Sequence, residues 1–89
     1  MPIAEVINLA DRRPPRRSDD LSRREREVLE ALARGERTEE MAAGLHVSIH
    51  TVRSHTKSVL RKLEARTRAH AVAIAYSEGA LDLDPALAA

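Results

Sequence analysis

Cysteine, tryptophan and phenylalanine are absent from these 89 residues, and Tyr76 is the one aromatic side chain. Without cysteine no disulfide can staple the chain, so stability must come from aliphatic packing, and the absence fits a reducing compartment. With one aromatic there is no platform for stacking the bases of a single strand. No apolar run approaches the roughly 18–20 residues of a membrane-spanning helix, and the N-terminus has no basic segment leading into an apolar signal core. The expectation is a cytoplasmic protein. None of the three glycines forms a phosphate-cradling loop, no nucleophile stands with a base and an orienting acid, and there is no H-E-x-x-H. The sequence therefore predicts neither an enzyme nor a cofactor. His46 and His50 are four apart, but a turn between them breaks the helical register, so no metal site is expected.

A chain of this length holds one domain near the lower limit of independent folding, so its core must be helical and compact or be completed by a partner. The net charge of +1 conceals an uneven distribution. Residues 48–70 carry six Lys and Arg against Glu64 alone, whereas residues 18–47 carry five Arg against eight acids. Such concentration is the footprint of a phosphate-facing surface.

The stretch Val47 to Glu64, VSIHTVRSHTKSVLRKLE, organises the rest. At helical spacing Ile49, Val52, Thr56, Val59, Leu60 and Leu63 fall on one side, and His50, Arg53, Ser54, Lys57 and Arg61 on the other. An apolar back would fix the helix to a core. A front of long donors three and four residues apart suits a helix lying in a DNA major groove. A charge stripe alone also describes an ordinary surface helix facing water, so the flanking sequence has to decide.

Met1 to Ala10 offers Ile3, Val6, Ile7 and Leu9, enough for a turn or two of helix or a short strand that docks on something else. The run Arg12 to Arg17, RRPPRR, reads as an extended linker, either an arm on DNA phosphates or in a minor groove, or a basic tether with no fixed contact. Ser22 and Glu25 form a capping box for a helix from about Arg23 to Arg34, with Leu21 closing over Val28, Leu29 and Leu32, and Gly35 as its left-handed stop. Thr38 is expected to cap a second helix, about Glu39 to Leu45, with Met41, Ala42 and Leu45 inward. Val47 then plugs the core and Ser48 caps the basic helix. Two helices joined by so short a connection describe a helix-turn-helix.

Thr67 caps a fourth helix, about Arg68 to Glu78, stopped by Gly79. It is apolar on nearly every side, and the expectation gives Ala69, Val72, Ala73 and Tyr76 to the core. Ala71, Ile74, Ala75 and Glu78 then remain as a homodimer seam suited to two DNA half-sites. Alternatively the N-terminal segment or the tail residues Leu81, Leu83 and Leu87 cover that surface.

Taken together, Leu21-Ser22-x-Arg24-Glu25-x-Glu27-Val28-Leu29, Ala33-x-Gly35, Met41-Ala42-x-x-Leu45-x-Val47-Ser48-x-x-Thr51-Val52-x-x-His55, Leu60-x-Lys62-Leu63 and Arg66-x-Arg68-x-x-Ala71 resemble the DNA-binding domain of LuxR-type regulators, the NarL/GerE-like helix-turn-helix. The resemblance runs without a gap over about residues 20–80, leaving 1–19 as an N-terminal segment with its basic Pro/Arg linker and 81–89 as a tail. It implies an all-α, tetrahelical helix-turn-helix domain with a short N-terminal arm, whose third helix enters the major groove of double-stranded DNA and whose fourth mediates dimerisation. By position it implies that Arg53, Ser54 and Lys57 read bases, and that Ser48, Thr51, His55 and Arg61 lie near phosphates. His50, on the same basic front, joins the phosphate set. Glu25 would be a structural acid and Lys62 the basic residue of the family's K-L pair.

His46 stands where the family usually has glycine, and it must take the left-handed conformation or alter the turn. With about 20 residues before the fold, a stand-alone regulator is the expectation, preferred to an excised domain. The competing function is a protein-interaction module that binds RNA polymerase, a sigma factor or another regulator, with DNA binding secondary. A steep loss of binding with salt would separate DNA contact from an apolar protein interface.

Overall fold

The computed structural model describes residues 14–81, and every regular element among them is helical. A 3-10 turn, Arg17–Asp20, precedes α1 (Arg23–Ala33), α2 (Thr38–Leu45), α3 (Ile49–Leu63) and α4 (Arg68–Ser77). The fold is the expected all-α helix-turn-helix domain. Ile3, Val6, Ile7 and Leu9, the linker residues Arg12 and Arg13, and the tail residues Leu83 and Leu87 lie outside the described residues.

Local chemistry sets each helix start. The Ser22 hydroxyl accepts from the Glu25 N–H at 3.1 Å while Glu25 Oε1 accepts from the Ser22 N–H at 2.8 Å, completing the capping box. Ser48 accepts from the Thr51 N–H at 3.0 Å, and Thr67 from the His70 N–H at 3.0 Å. The expectation for Thr38 is corrected. The second helix begins on Thr38 itself, after the cap residue Arg37, whose N–H donates to Glu40 Oε1 at 2.9 Å. Thr38 is buried, and its hydroxyl accepts from the Arg68 guanidinium at 3.1 Å, a contact between α2 and α4 that outweighs a capping role.

All four helices stop in the same way. Gly35, His46, Glu64 and Gly79 have φ values of 77°, 58°, 56° and 73°, and the residue after each donates its N–H to a carbonyl five residues back. His46 thus adopts the left-handed conformation that the family's glycine would take. Val47, Ala65 and Ala80, the residues after three of these stops, fold back onto the core.

That core has two clusters, and α1 and α3 contribute to both. Val28, Ala31, Met41, Ala42 and Val52 join α1, α2 and the first half of α3. Leu21, Leu29, Val59, Leu63, Ala71 and Ala75 join α1, α4 and the second half of α3. Val52, Val59 and Leu63 are fully buried, which is worth roughly 1.5–3 kcal/mol for each side chain. Gripped at both ends of its back, α3 has little freedom to roll. Thr56, also on the back, donates its hydroxyl to Val52 O at 2.8 Å, so no polar atom is stranded there. Ile49 departs from the expected apolar back. It is 38% exposed, because it occupies the first helical position and the tilt of its Cβ toward the N-terminus carries it past the cluster around Val52.

Candidate nucleic-acid interface

With its back fixed, α3 turns one face outward. His50, Arg53, Ser54, Lys57 and Arg61 are exposed along it, while Thr51 and His55 at the flanks are half-buried. Among the described residues no hydrogen bond or ion pair restrains the side chains of His50, Arg53, Ser54 or Lys57. Arg61 reaches only the Ser58 hydroxyl, at 3.3 Å. Ser48 is already engaged, accepting from the Thr51 backbone and donating to Thr51 Oγ1 at 2.9 Å.

Two other cations of the basic stretch make internal contacts, whereas the guanidinium of the exposed Arg66 has no partner among the described residues. Lys62 Nζ donates to Glu25 Oε1 at 2.7 Å and to Asp20 O at 3.1 Å, tying α3 to α1 and to the 3-10 turn. Burial pushes the Glu25 carboxyl up, but bonds from Lys62, the Ser22 backbone, Ser58 and the Ser22 hydroxyl outweigh it and bring the group from 4.5 to about 2. Arg68 is spent on Thr38. The charge of this stretch that no internal carboxylate neutralises therefore lies on the outer strip, with Arg66 and Arg68 exposed beyond the end of α3.

The N-terminal turn was not legible in the sequence. Arg26 donates to Ser18 O at 3.0 Å, so this carbonyl and that of Asp20 are both held by cations. Arg17 pairs with Glu64 at 3.2 Å, and its N–H donates to Glu78 Oε1 at 3.0 Å. The run of two arginines, Ser18 and two aspartates gave no apolar period to mark it. An open depression of about 690 Å³ lies beside it, lined by Arg17, Glu64, Arg66, Thr67 and His70. Its polar groups largely satisfy one another, His70 Nδ1 accepting from the Arg66 N–H at 3.0 Å.

On α4 the expected faces are exchanged. Ala71 and Ala75 are fully buried against Leu29 and Leu63, so a second copy cannot touch them while this core is intact. Ile74 and Glu78 are half-buried on the same inward side. The outward face consists of the exposed Ala69 and Ala73 with the half-buried Val72 and Tyr76. Small side chains at 71 and 75 let α4 approach α1 and α3 closely, which larger residues at those positions would prevent.

The family model described as bacterial regulatory proteins, luxR family, matches residues 19–75, a span that takes in α1, α2, α3 and most of α4. The chain belongs to the LuxR family. It is 39% identical over 56 residues to the response regulator protein VraR of Staphylococcus aureus (strain NCTC 8325 / PS 47), and equally to the proteins of that name from Staphylococcus saprophyticus and Staphylococcus epidermidis. The match covers 63% of this chain and 27% of each of those relatives. The LuxR-family region is a DNA-binding domain of transcription regulators, and this chain carries it. Among the described residues no helix is long and apolar enough to cross a membrane, and no group of three or more His, Cys, Asp or Glu could hold a metal ion.

Proposed function

We propose that the domain binds duplex DNA sequence-specifically in the cytoplasm, with α3 in the major groove, and that two copies associate through α4. The observation that carries this reading is the outward strip of α3, where the exposed Arg53 and Lys57 are free of internal partners while Lys62 is paired with Glu25. Arg53 presents a guanidinium fork to guanine O6 and N7, Lys57 donates to guanine or a phosphate, and Ser54 is short enough to let the helix come close. His50, Thr51, His55 and Arg61 flank them toward the phosphates, with the Ser48-capped N-terminus of α3 adding its dipole.

The association face is the outward one, Ala69, Val72, Ala73 and Tyr76. A two-fold axis there would present two copies of α3 to two half-sites. The test is selection from a random duplex library at about 0.15 M salt, comparing the wild type with Arg53→Ala plus Lys57→Ala. The wild type should enrich one motif, as an inverted repeat, and the double variant should lose it. If the wild type enriched nothing, DNA binding would depend on another protein, and the interaction-module reading would take its place.

A further inference from the structure

Ile49 is the one large aliphatic side chain among the described residues that is substantially exposed, at 38%, whereas Val52, Val59 and Leu63 on the same helix are fully buried. Its position connects it to the basic strip. It is the first residue of α3 and precedes Arg53 by one turn, set about 40° round the helix axis from it. Ile49 therefore forms the leading rim of the strip, next to the exposed His50 and the cap Ser48.

An aliphatic group at that rim has few favourable partners on a duplex. Phosphate oxygens are charged, and the major-groove edges of guanine, adenine and cytosine are polar. Thymine alone places an apolar group there, its C5-methyl. We propose that Ile49 packs on a thymine methyl and is a specificity-determining residue beside Arg53; this rests on the reading of α3 as the recognition helix. Four residues of helix advance about 6 Å, and bases along one strand are spaced by about 3.4 Å. The thymine accordingly lies within about two base pairs of the base that Arg53 reads, on the side of the α3 N-terminus.

The decisive experiment removes the methyl from the DNA and leaves the protein intact. After a motif is selected, each thymine is replaced in turn by deoxyuridine, and affinity is measured for the wild type, Ile49→Ala and Ile49→Val. For the wild type one substitution, within about two base pairs of the position whose preference Arg53→Ala relaxes, should weaken binding about threefold to tenfold. Ile49→Val should retain part of that effect. Ile49→Ala should bind the thymine and deoxyuridine duplexes equally.

If a motif is enriched and lost by Arg53→Ala, but no methyl matters or the same methyl matters equally to Ile49→Ala, the role given to Ile49 is overturned and the recognition helix stands. If the wild type enriches no motif, the recognition-helix reading itself fails and this inference falls with it. The first arm alters only the DNA and is untouched by any folding defect, and for the variants the reading is the ratio of two measurable affinities, from which a loss of active protein cancels.

Discussion

Lys62 Nζ lies 2.7 Å from Glu25 Oε1, joining the end of the basic helix to the first turn of α1. Glu25 is 5% exposed and also closes the capping box with Ser22, so one carboxylate serves a helix start and a contact between helices. Its carboxyl falls from 4.5 to about 2 in the fold. Because the folded value is the lower one, the stabilisation is complete above 4.5 and is lost as pH falls from 4.5 through about 2. At neutral pH it amounts to roughly 3 kcal/mol. Glu25→Gln should lower the urea-unfolding free energy by roughly 2–3 kcal/mol at pH 7, and the difference from wild type should shrink toward pH 2. A difference independent of pH would show that the carboxylate is not its origin.

Ser18 gives the opposite expectation. It is 1% exposed, and its hydroxyl oxygen has no hydrogen-bond partner among the described residues. Ser18→Ala should therefore be neutral or slightly stabilising, within about 0.5 kcal/mol, since it removes a buried polar atom that gains nothing from the fold. A loss above about 1 kcal/mol in the same unfolding assay would reveal a partner for that oxygen.

The left-handed turn between α2 and α3 carries a side chain at φ 58°. His46→Gly should raise stability by about 0.5–1 kcal/mol, because glycine takes this conformation without the Cβ clash that offsets its greater freedom when unfolded. His46→Val should destabilise the protein, a β-branched side chain being a poor fit to the left-handed region. Thermal midpoints of the two variants against wild type decide the matter. Movement in the same direction for both would refute the backbone explanation.

The exchanged faces of α4 separate folding from the proposed association. Ala71→Leu overfills a core position and should cost about 1–3 kcal/mol of stability. Val72→Glu with Tyr76→Glu should leave the helical circular-dichroism signal in place and abolish self-association in sedimentation velocity. If that pair remained dimeric, α4 would not be the seam.

How far the sequence could be read follows from where each signal resides. Ser22 with Glu25, Ser48, Thr67, Gly35 and Gly79 are local instructions, and each is used as its immediate neighbours suggest. The outward strip of α3 was legible because polar and apolar residues alternate at helical spacing over a full 15 residues. On α4 that contrast is missing, since Ala69, Ala71, Val72, Ala73, Ile74 and Ala75 are apolar on every side. Only the shape of the surface offered by α1 and α3 selects Ala71 and Ala75 to face inward. Thr38 was misread because its partner, Arg68, is 30 residues away. Arg17 and Glu78 are 61 apart, beyond the reach of any local pattern.

That last pair sets the geometry of the ends. Arg17 donates its N–H to Glu78 Oε1 at 3.0 Å, and a side chain added at Gly79 would come within 3.3 Å of the Arg16 guanidinium. Entry to the fold and exit from it are therefore adjacent. A pull applied between positions 14 and 81 would open this clasp bond by bond before it loaded α3. A chain joined there and cut at the exposed Gly35 would keep every helix while placing α1 last, so the order of the helices along the chain is not what holds the outward strip of α3 in place.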